Sequence, residues 1–283
     1  QATAARDVFA MLGVQPGTVI DGKIRVEGTV GVGGMSYVLE ATHLQLEETV
    51  ALKCLDPNWA GSQLVAERFS REARSVAKLK SDHVARVYDV GKLPNGLPYM
   101  VMEFLRGEDL GKILERGEPC DLRTLAGWTL EACEGLAEAH ALGIVHRDVK
   151  PENLFVVRRA DGRRVIKLLD FGISKQLLTR GSELDQQSLS RTLELVGRPL
   201  YMSPEQVRLS RELDHRTDIW SLGAVFYETL AGAPPFMGEG VTDLAPGDRV
   251  MGLLPGGFAT HAVADPRMVA PGPQGWTWPQ AAS

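Results

Sequence analysis

The hydrophobic period of this chain changes once, near Gly107, and that change limits what can form on either side. Before it, short runs alternate with a period of two: Ile24–Val30, Tyr37–Ala41, Thr49–Cys54, Val84–Val90 and Tyr99–Phe104, the last two separated by a turn at Pro94–Pro98. One helix interrupts them, predicted over Gln63–Lys80 with Ser62 as N-cap, because Leu64, Val65, Phe69, Ala73, Val76 and Leu79 fall on one face. After Gly107 the spacing becomes helical. Leu125, Trp128, Ala132, Leu136 and Ala139 form a stripe ended by Gly143, and Asp218–Leu230 forms a second apolar helix stopped by Gly232 and Pro234–Pro235. The expected fold class is therefore α+β: a small β-rich lobe followed by a helical lobe.

Composition narrows the function classes. At 283 residues and 44% hydrophobic the chain can bury a large core. A net charge of −5 with no Lys/Arg run longer than two disfavours nucleic acid as a partner. No stretch of about 18 apolar residues occurs, so no membrane-spanning segment is expected. Cys54, Cys120 and Cys133 fit neither a disulfide framework nor a zinc site and read as free thiols of a cytoplasmic protein. Residues 1–18 read as an N-terminal extension at a fragment edge.

Between two strands lies Gly31-Val-Gly33-Gly34-Met-Ser36-Tyr-Val38. Without Cβ atoms, backbone N–H groups can approach phosphate oxygens, although a glycine-rich turn also occurs without any ligand. A dinucleotide-binding turn is rejected: that motif opens a helix, whereas Tyr37–Glu40 continues a strand. Downstream, Lys53 ends the apolar run Val50-Ala51-Leu52 and points either to solvent or into a site. Glu72, on the following helix, is an acidic group able to hold it.

Directly after the helix stop comes His146-Arg147-Asp148-Val149-Lys150-Pro151-Glu152-Asn153, and further on Asp170-Phe171-Gly172. With the glycine loop and Lys53, this set resembles the signature of protein kinases, and specifically the bacterial serine/threonine kinases of eukaryotic type. Phe171-Gly-Ile-Ser-Lys175 and Tyr201-Met-Ser-Pro-Glu-Gln206 carry the same likeness, which covers about residues 19–237. The resemblance implies a bilobal fold with an N-lobe over 19–105, a partial C-lobe over 106–237 that lacks the helices after its central one, and ATP with Mg²⁺ or Mn²⁺ in the cleft between them.

The roles it implies are these. Asp148 accepts the proton of a protein Ser/Thr hydroxyl and Lys150 steadies the transferring phosphoryl. Asn153 and Asp170 supply oxygen ligands to the metal. Lys53 holds the α- and β-phosphates, with Glu72 as its partner in the active state. Val30, Gly31, Gly33 and Ser36 cover the phosphates; Val38, Ala51 and Phe155 enclose adenine; the backbone of Glu103 and Leu105 meets its edge, and Met102 gates the rear pocket. Ser190 and Thr192 resemble autophosphorylation sites, for which a transient homodimer is expected. One departure stands out: Gly197-Arg198-Pro199 replaces the family's Gly-Thr-Pro, which puts full activity in doubt. An ATP-binding scaffold impaired in catalysis is the alternative reading.

From Gly238 onward the text turns to glycine and proline. Gly240–Leu253, Ala262–Asp265 and Gly275–Ala282 resemble a catalytic-domain segment of medium-chain quinone oxidoreductases, especially polyketide-synthase enoyl reductases. A divergent kinase tail is the other reading. No nucleotide-binding glycine fingerprint accompanies the segment, so no NADPH chemistry is expected from it. A fused or artificially joined sequence explains the abrupt change, and Glu205 is expected to lack the arginine that a complete C-lobe supplies.

Overall fold

The computed structural model describes residues 8–33, 35–60, 63–117, 120–159, 161–171, 199–207, 213–235, 250–252 and 269–271. Ser62, Gly172, Ser190, Thr192, Arg198 and most of the stretch after Pro235 lie outside these residues.

The first lobe is an antiparallel sheet of β1 (Val19–Ile20), β2 (Ile24–Val32), β3 (Ser36–His43), β4 (Glu48–Leu55), β5 (Val87–Lys92) and β6 (Pro98–Glu103), in the order β1-β2-β3-β4-β6-β5. Alternation assigns its two faces. Tyr37 and Leu39 lie opposite Cys54 and Leu52, which in turn lie opposite Tyr99 and Val101, and all six belong to one buried cluster. On the other face Val38 lies opposite Lys53 and Ala51 opposite Met102.

That other face is covered by α3 (Gln63–Val76), which follows the short helix α2 (Pro57–Ala60) and whose Val65, Phe69 and Ala73 pack with Leu55 and Met100. The helix ends at Val76, short of the predicted Lys80. The expected strand over Val84–Val90 is also displaced. Val84 forms a parallel bridge to Leu168 of the second lobe, and Ala85 N–H donates to the Leu168 carbonyl at 3.0 Å, so pairing with β6 begins only at Val87. At Gly91 a Cβ would lie 2.5 Å from the Tyr99 ring, so this strand position has room for no side chain.

Residues 8–14 pack onto the first lobe. Residues 8–12 form a helical turn, α1, that closes the first face of the sheet, with Leu12 fully buried and Val8, Phe9 and Val14 buried beside it. Gly13 ends the turn at φ +67°, a left-handed conformation glycine adopts without strain, and Asn95 Nδ2 donates to the Leu12 carbonyl at 2.9 Å. Only four apolar residues carry this packing, too short a run for periodicity to register.

The second lobe is built on α5 (Leu122–Ala141) and α7 (Arg216–Ala231), the last helix among the described residues. Asp121 caps α5 by accepting from Thr124 N at 3.0 Å, and the predicted stripe Leu125, Trp128, Ala132, Leu136 and Ala139 is buried. Gly143 (φ +71°) and Gly232 (φ +78°) end the two helices as expected. A small sheet, β7 (Gly107–Asp109), β8 (Leu154–Arg158) and β9 (Arg164–Leu168), packs against α5 through β9 and against α4 (Leu110–Glu115) through β7 and β8; neither the sheet nor α4 was anticipated from sequence. β8 and β9 are short, mostly apolar runs, which periodicity cannot separate from buried helix, and β7 (Gly-Glu-Asp) carries no apolar pattern at all. A short helix, α6 (Pro204–Val207), precedes α7, on which Ile219 stands half exposed, and Val207 is also half exposed. In the tail, Val250–Gly252 and Val269–Pro271 pair as antiparallel strands β10 and β11.

Candidate active site

The glycine-rich stretch closes the β2–β3 hairpin, with Gly33 N–H donating to Ser36 O at 2.8 Å. Val30 is 54% exposed there. Below it, the register places Val38, Ala51, Lys53 and Met102 on the same side of the sheet, so one strand period aims all four into the cleft. Glu103 ends β6, and Phe155, opposite Asp109 on β8, rises from the second lobe.

Glu103 has a second connection that the sequence did not suggest. Its Oε2 pairs with Lys167 Nζ at 2.9 Å and accepts Arg86 N–H at 3.3 Å, and the Lys167 side chain is only 8% exposed. The crossover between the lobes is thus tied to β9 by a largely desolvated ion pair. A lysine inside the short apolar run Val165–Leu168 is the only signal that could have pointed to it.

The turn carrying Asp148 is held from below. Asp218, fully buried on α7, accepts His146 N–H at 2.8 Å and Arg147 N–H at 2.7 Å, and also lies 2.7 Å from His140 Nε2. His140, on α5, was missed because a single helical histidine carries no pattern. His146 is fully buried, and burial lowers its pKa from the usual 6.5. Its Nδ1 accepts from Asp148 N–H at 3.3 Å while its Nε2 faces the Leu169 carbonyl at 2.7 Å. Those partners select the neutral tautomer with the proton on Nε2.

Asp148 itself is 9% exposed. Lys150 Nζ lies 3.2 Å from its Oδ2, and Asn153 Nδ2 donates to both its carbonyl (2.7 Å) and its Oδ2 (3.0 Å). The Asn153 carbonyl in turn accepts Leu169 N–H at 2.9 Å, which sets the strand leading to Asp170. Asp170 Oδ1 is in contact with Lys53 Nζ. Lys53, Asp148, Asn153 and Asp170 are therefore joined through consecutive contacts in one cleft. Phe171 is buried, its ring centroid 4.5 Å from that of His146.

Glu72 departs from the expected pairing. Lys53 is engaged by Asp170, and both Glu72 carboxylate oxygens are buried without a hydrogen-bond partner. Burial pushes its pKa up to about 7, against the pull of Arg71, Arg147, Arg68 and, most weakly, Lys53. It lines a cleft of about 170 Å³ together with Arg71, Ser75, Ile144, Arg147 and Phe171. The helix carrying Glu72 is thus placed so that the lysine partner is exchanged, and sequence spacing cannot distinguish the two partners.

The donor set suits a hard divalent cation. With its amide nitrogen committed to Asp148, Asn153 has its Oδ1 as the acceptor end, and the Asp170 side chain remains 44% exposed. Among the described residues no group of three or more His, Cys, Asp or Glu side chains could hold a metal. A cation here would be held by these two oxygens together with other oxygens.

A family profile for the protein kinase domain matches residues 24–249. The chain belongs to the protein kinase family. Serine/threonine-protein kinase pkn3 of Myxococcus xanthus is 36% identical over 229 residues, covering 81% of this chain and 41% of that protein. PknB of Mycolicibacterium smegmatis is 39% identical over 213 residues (74% and 32%), and PknL of Mycobacterium tuberculosis is 35% identical over 227 residues (80% and 54%). The kinase chain thus spans between about a third and about half of these relatives' length. The crystal structure of the M. tuberculosis PknI kinase domain matches with a TM-score of 0.61 at 25% identity, covering 78% of this chain and 77% of that one. Among the described residues, no helix of the kinase is long and apolar enough to cross a membrane.

Proposed function

We propose that this kinase domain transfers the γ-phosphoryl group of ATP to serine or threonine hydroxyls of proteins. The single observation that carries this reading is the linked set Lys53–Asp170 and Asn153–Asp148, joined through Leu169, in the cleft between the lobes. Phosphoryl transfer asks a protein mainly for positioning and charge neutralisation, and these groups supply both. Asp148 orients the substrate hydroxyl and takes its proton, while Lys150, 3.2 Å away, balances the charge beside it. Lys53, released from Asp170, binds α- and β-phosphate oxygens. Val38, Ala51 and Met102 line the adenine side, with Phe155 beneath. Asn153 and Asp170 would hold Mg²⁺ or Mn²⁺, which when bound neutralises phosphate charge.

Further parts of the reading are proposals of the same kind: autophosphorylation at Ser190 and Thr192 through a transient homodimer, a protein substrate, and a cytoplasmic location where ATP is available, for which the likeness to the family is the support. The resemblance of the tail to an oxidoreductase segment is also a proposal; residues 250–283 lie outside the family match, whereas 238–249 lie within it. A second reading, nucleotide binding without turnover, is favoured by the Arg198 departure and by the unpaired Glu72. ATP binding and γ-phosphate transfer measured on one preparation separate them. Transfer in wild type that is lost in Asp148→Asn, with binding kept in both, supports the kinase; binding in both with transfer in neither supports the second reading.

A further inference from the structure

Arg147 adopts φ +64°, a left-handed conformation unfavourable for a residue with a Cβ, immediately before Asp148. Such a turn persists only if the peptide planes on both sides are held. The plane before it is fixed by Asp218, which accepts Arg147 N–H at 2.7 Å. The plane after it joins Arg147 to Asp148. Its N–H end donates to His146 Nδ1 at 3.3 Å, a long bond, while its carbonyl end accepts Gln206 Nε2 at 2.8 Å.

Gln206 is 8% exposed, and both ends of its carboxamide are used. Its Oε1 accepts Ser203 N–H at 3.0 Å, and Ser203, fully buried, contacts Thr217 at the start of α7 through its hydroxyl. The partners dictate the amide's orientation: a backbone N–H requires the oxygen and a backbone carbonyl requires the NH₂. No carboxylate could serve both, since it would set an acceptor against the Arg147 carbonyl.

We propose that Gln206 is a positioning residue for phosphoryl transfer, fixing the Arg147–Asp148 peptide plane and hence the direction in which the Asp148 carboxylate points. This inference rests on the kinase reading above. It makes the placement of Asp148 depend on the docking of the Ser203–Gln206 segment against α7. A residue distant from the phosphates thereby sets the geometry of the group that receives the substrate proton.

The test uses Gln206→Glu and Gln206→Ala in the full chain. Gln206→Glu keeps the acceptor for Ser203 and loses only the donor to Arg147. Misplacing a reacting group by about 1 Å costs up to about a hundredfold in rate, so kcat is expected to fall about tenfold or more at pH 8, with KM for ATP within about twofold of wild type. Below the pH at which the new carboxyl takes up a proton it becomes a donor again. The ratio of variant to wild-type kcat is then expected to recover on acidification for Gln206→Glu and not for Gln206→Ala. An unchanged kcat, a rise in KM for ATP alone, or a pH-independent ratio in Gln206→Glu overturns the proposal. Amide hydrogen exchange gives an answer that does not need turnover. Faster exchange at Arg147 and Asp148, with the β3–β4 amides unchanged, is expected in both variants, and unchanged protection at those two amides overturns the proposal. If wild type fails to transfer phosphate the kinase reading falls, and the exchange result still decides whether Gln206 holds this turn.

Discussion

Replacing Glu72 by glutamine keeps the shape of the side chain and removes a carboxylate whose two oxygens are buried without hydrogen bonds. Burial raises its pKa from an ordinary 4.5 to about 7. The folded chain therefore keeps a proton on Glu72 that the unfolded chain has already released between those two pH values. Stability from this group is intact below about pH 4.5, falls as the pH rises, and levels off above about pH 7. Full ionisation costs about 3 kcal/mol at most, from about 1.4 kcal/mol per tenfold change in proton affinity. Glu72→Gln should thus match wild type near pH 5 and be more stable by about 1–3 kcal/mol at pH 8, a gain of several degrees in Tm for a domain of this size. Thermal unfolding of both proteins at the two pH values measures the difference. A variant equally or less stable than wild type at pH 8 would refute the reasoning, because it would mean that the carboxylate is solvated or paired in solution. The same variant cannot form an ion pair with Lys53, so phosphate transfer should fall even as stability rises.

Leu12→Ala empties a fully buried position under the sheet and should cost about 2–5 kcal/mol, read by urea unfolding; a loss under about 0.5 kcal/mol would mean that α1 is not part of the core. Lys167→Met leaves the Glu103 carboxylate without its partner and should destabilise by about 1–3 kcal/mol, with Glu103→Gln recovering much of the loss in a double-mutant cycle. His146 should take up its proton at a lower pH than an exposed histidine, followed by NMR, because burial lowers its pKa; its contribution is complete above pH 6.5 and is lost only as the pH falls below that. Phosphopeptide mapping of active protein should find Ser190 or Thr192 modified, and unmodified peptides at both positions would remove autophosphorylation there.

The parts of the site read from sequence are those in which residue type alone carries the chemistry. Asp148, Asn153 and Asp170 had to be acceptors near one another, and the contacts through Leu169 place them so. The two long helices were legible because their apolar stripes are long and each ends at a left-handed glycine. The β7–β8–β9 sheet was not, since Leu154–Arg158 and Arg164–Leu168 are too short to show a period. Lys167, Gln206 and His140 were missed for a different reason. Each acts through a partner distant in sequence (Glu103, Arg147, Asp218), and one chain read in order holds no sign of which distant residues meet.

Backbone strain is the other layer that motif reading cannot reach. Of the four non-glycine residues at positive φ among those described, Arg147 (+64°) and Asp170 (+50°) flank the cleft, while Asp21 and Glu47 lie in turns of the first lobe. Each such residue costs on the order of 1–3 kcal/mol, so two in one site require surroundings that hold them there. At Arg147 those surroundings are visible: Asp218 and Gln206 grip the peptides on either side. At Asp170 the visible restraints are the Lys53 contact and the Leu169 N–H bonded to Asn153. The first is a charge pair that phosphate can exchange and the second is a backbone bond that it cannot. Exchange of Lys53 from Asp170 to a phosphate therefore leaves the approach to Asp170 fixed while freeing its side chain. The two aspartates differ accordingly: Asp148 is held through backbone and buried amide contacts, whereas Asp170 is half-exposed on a restrained backbone with an exchangeable partner. On the proposed function, a fixed orienting base and an adjustable ligand are what transfer from a bound nucleotide would ask of these positions.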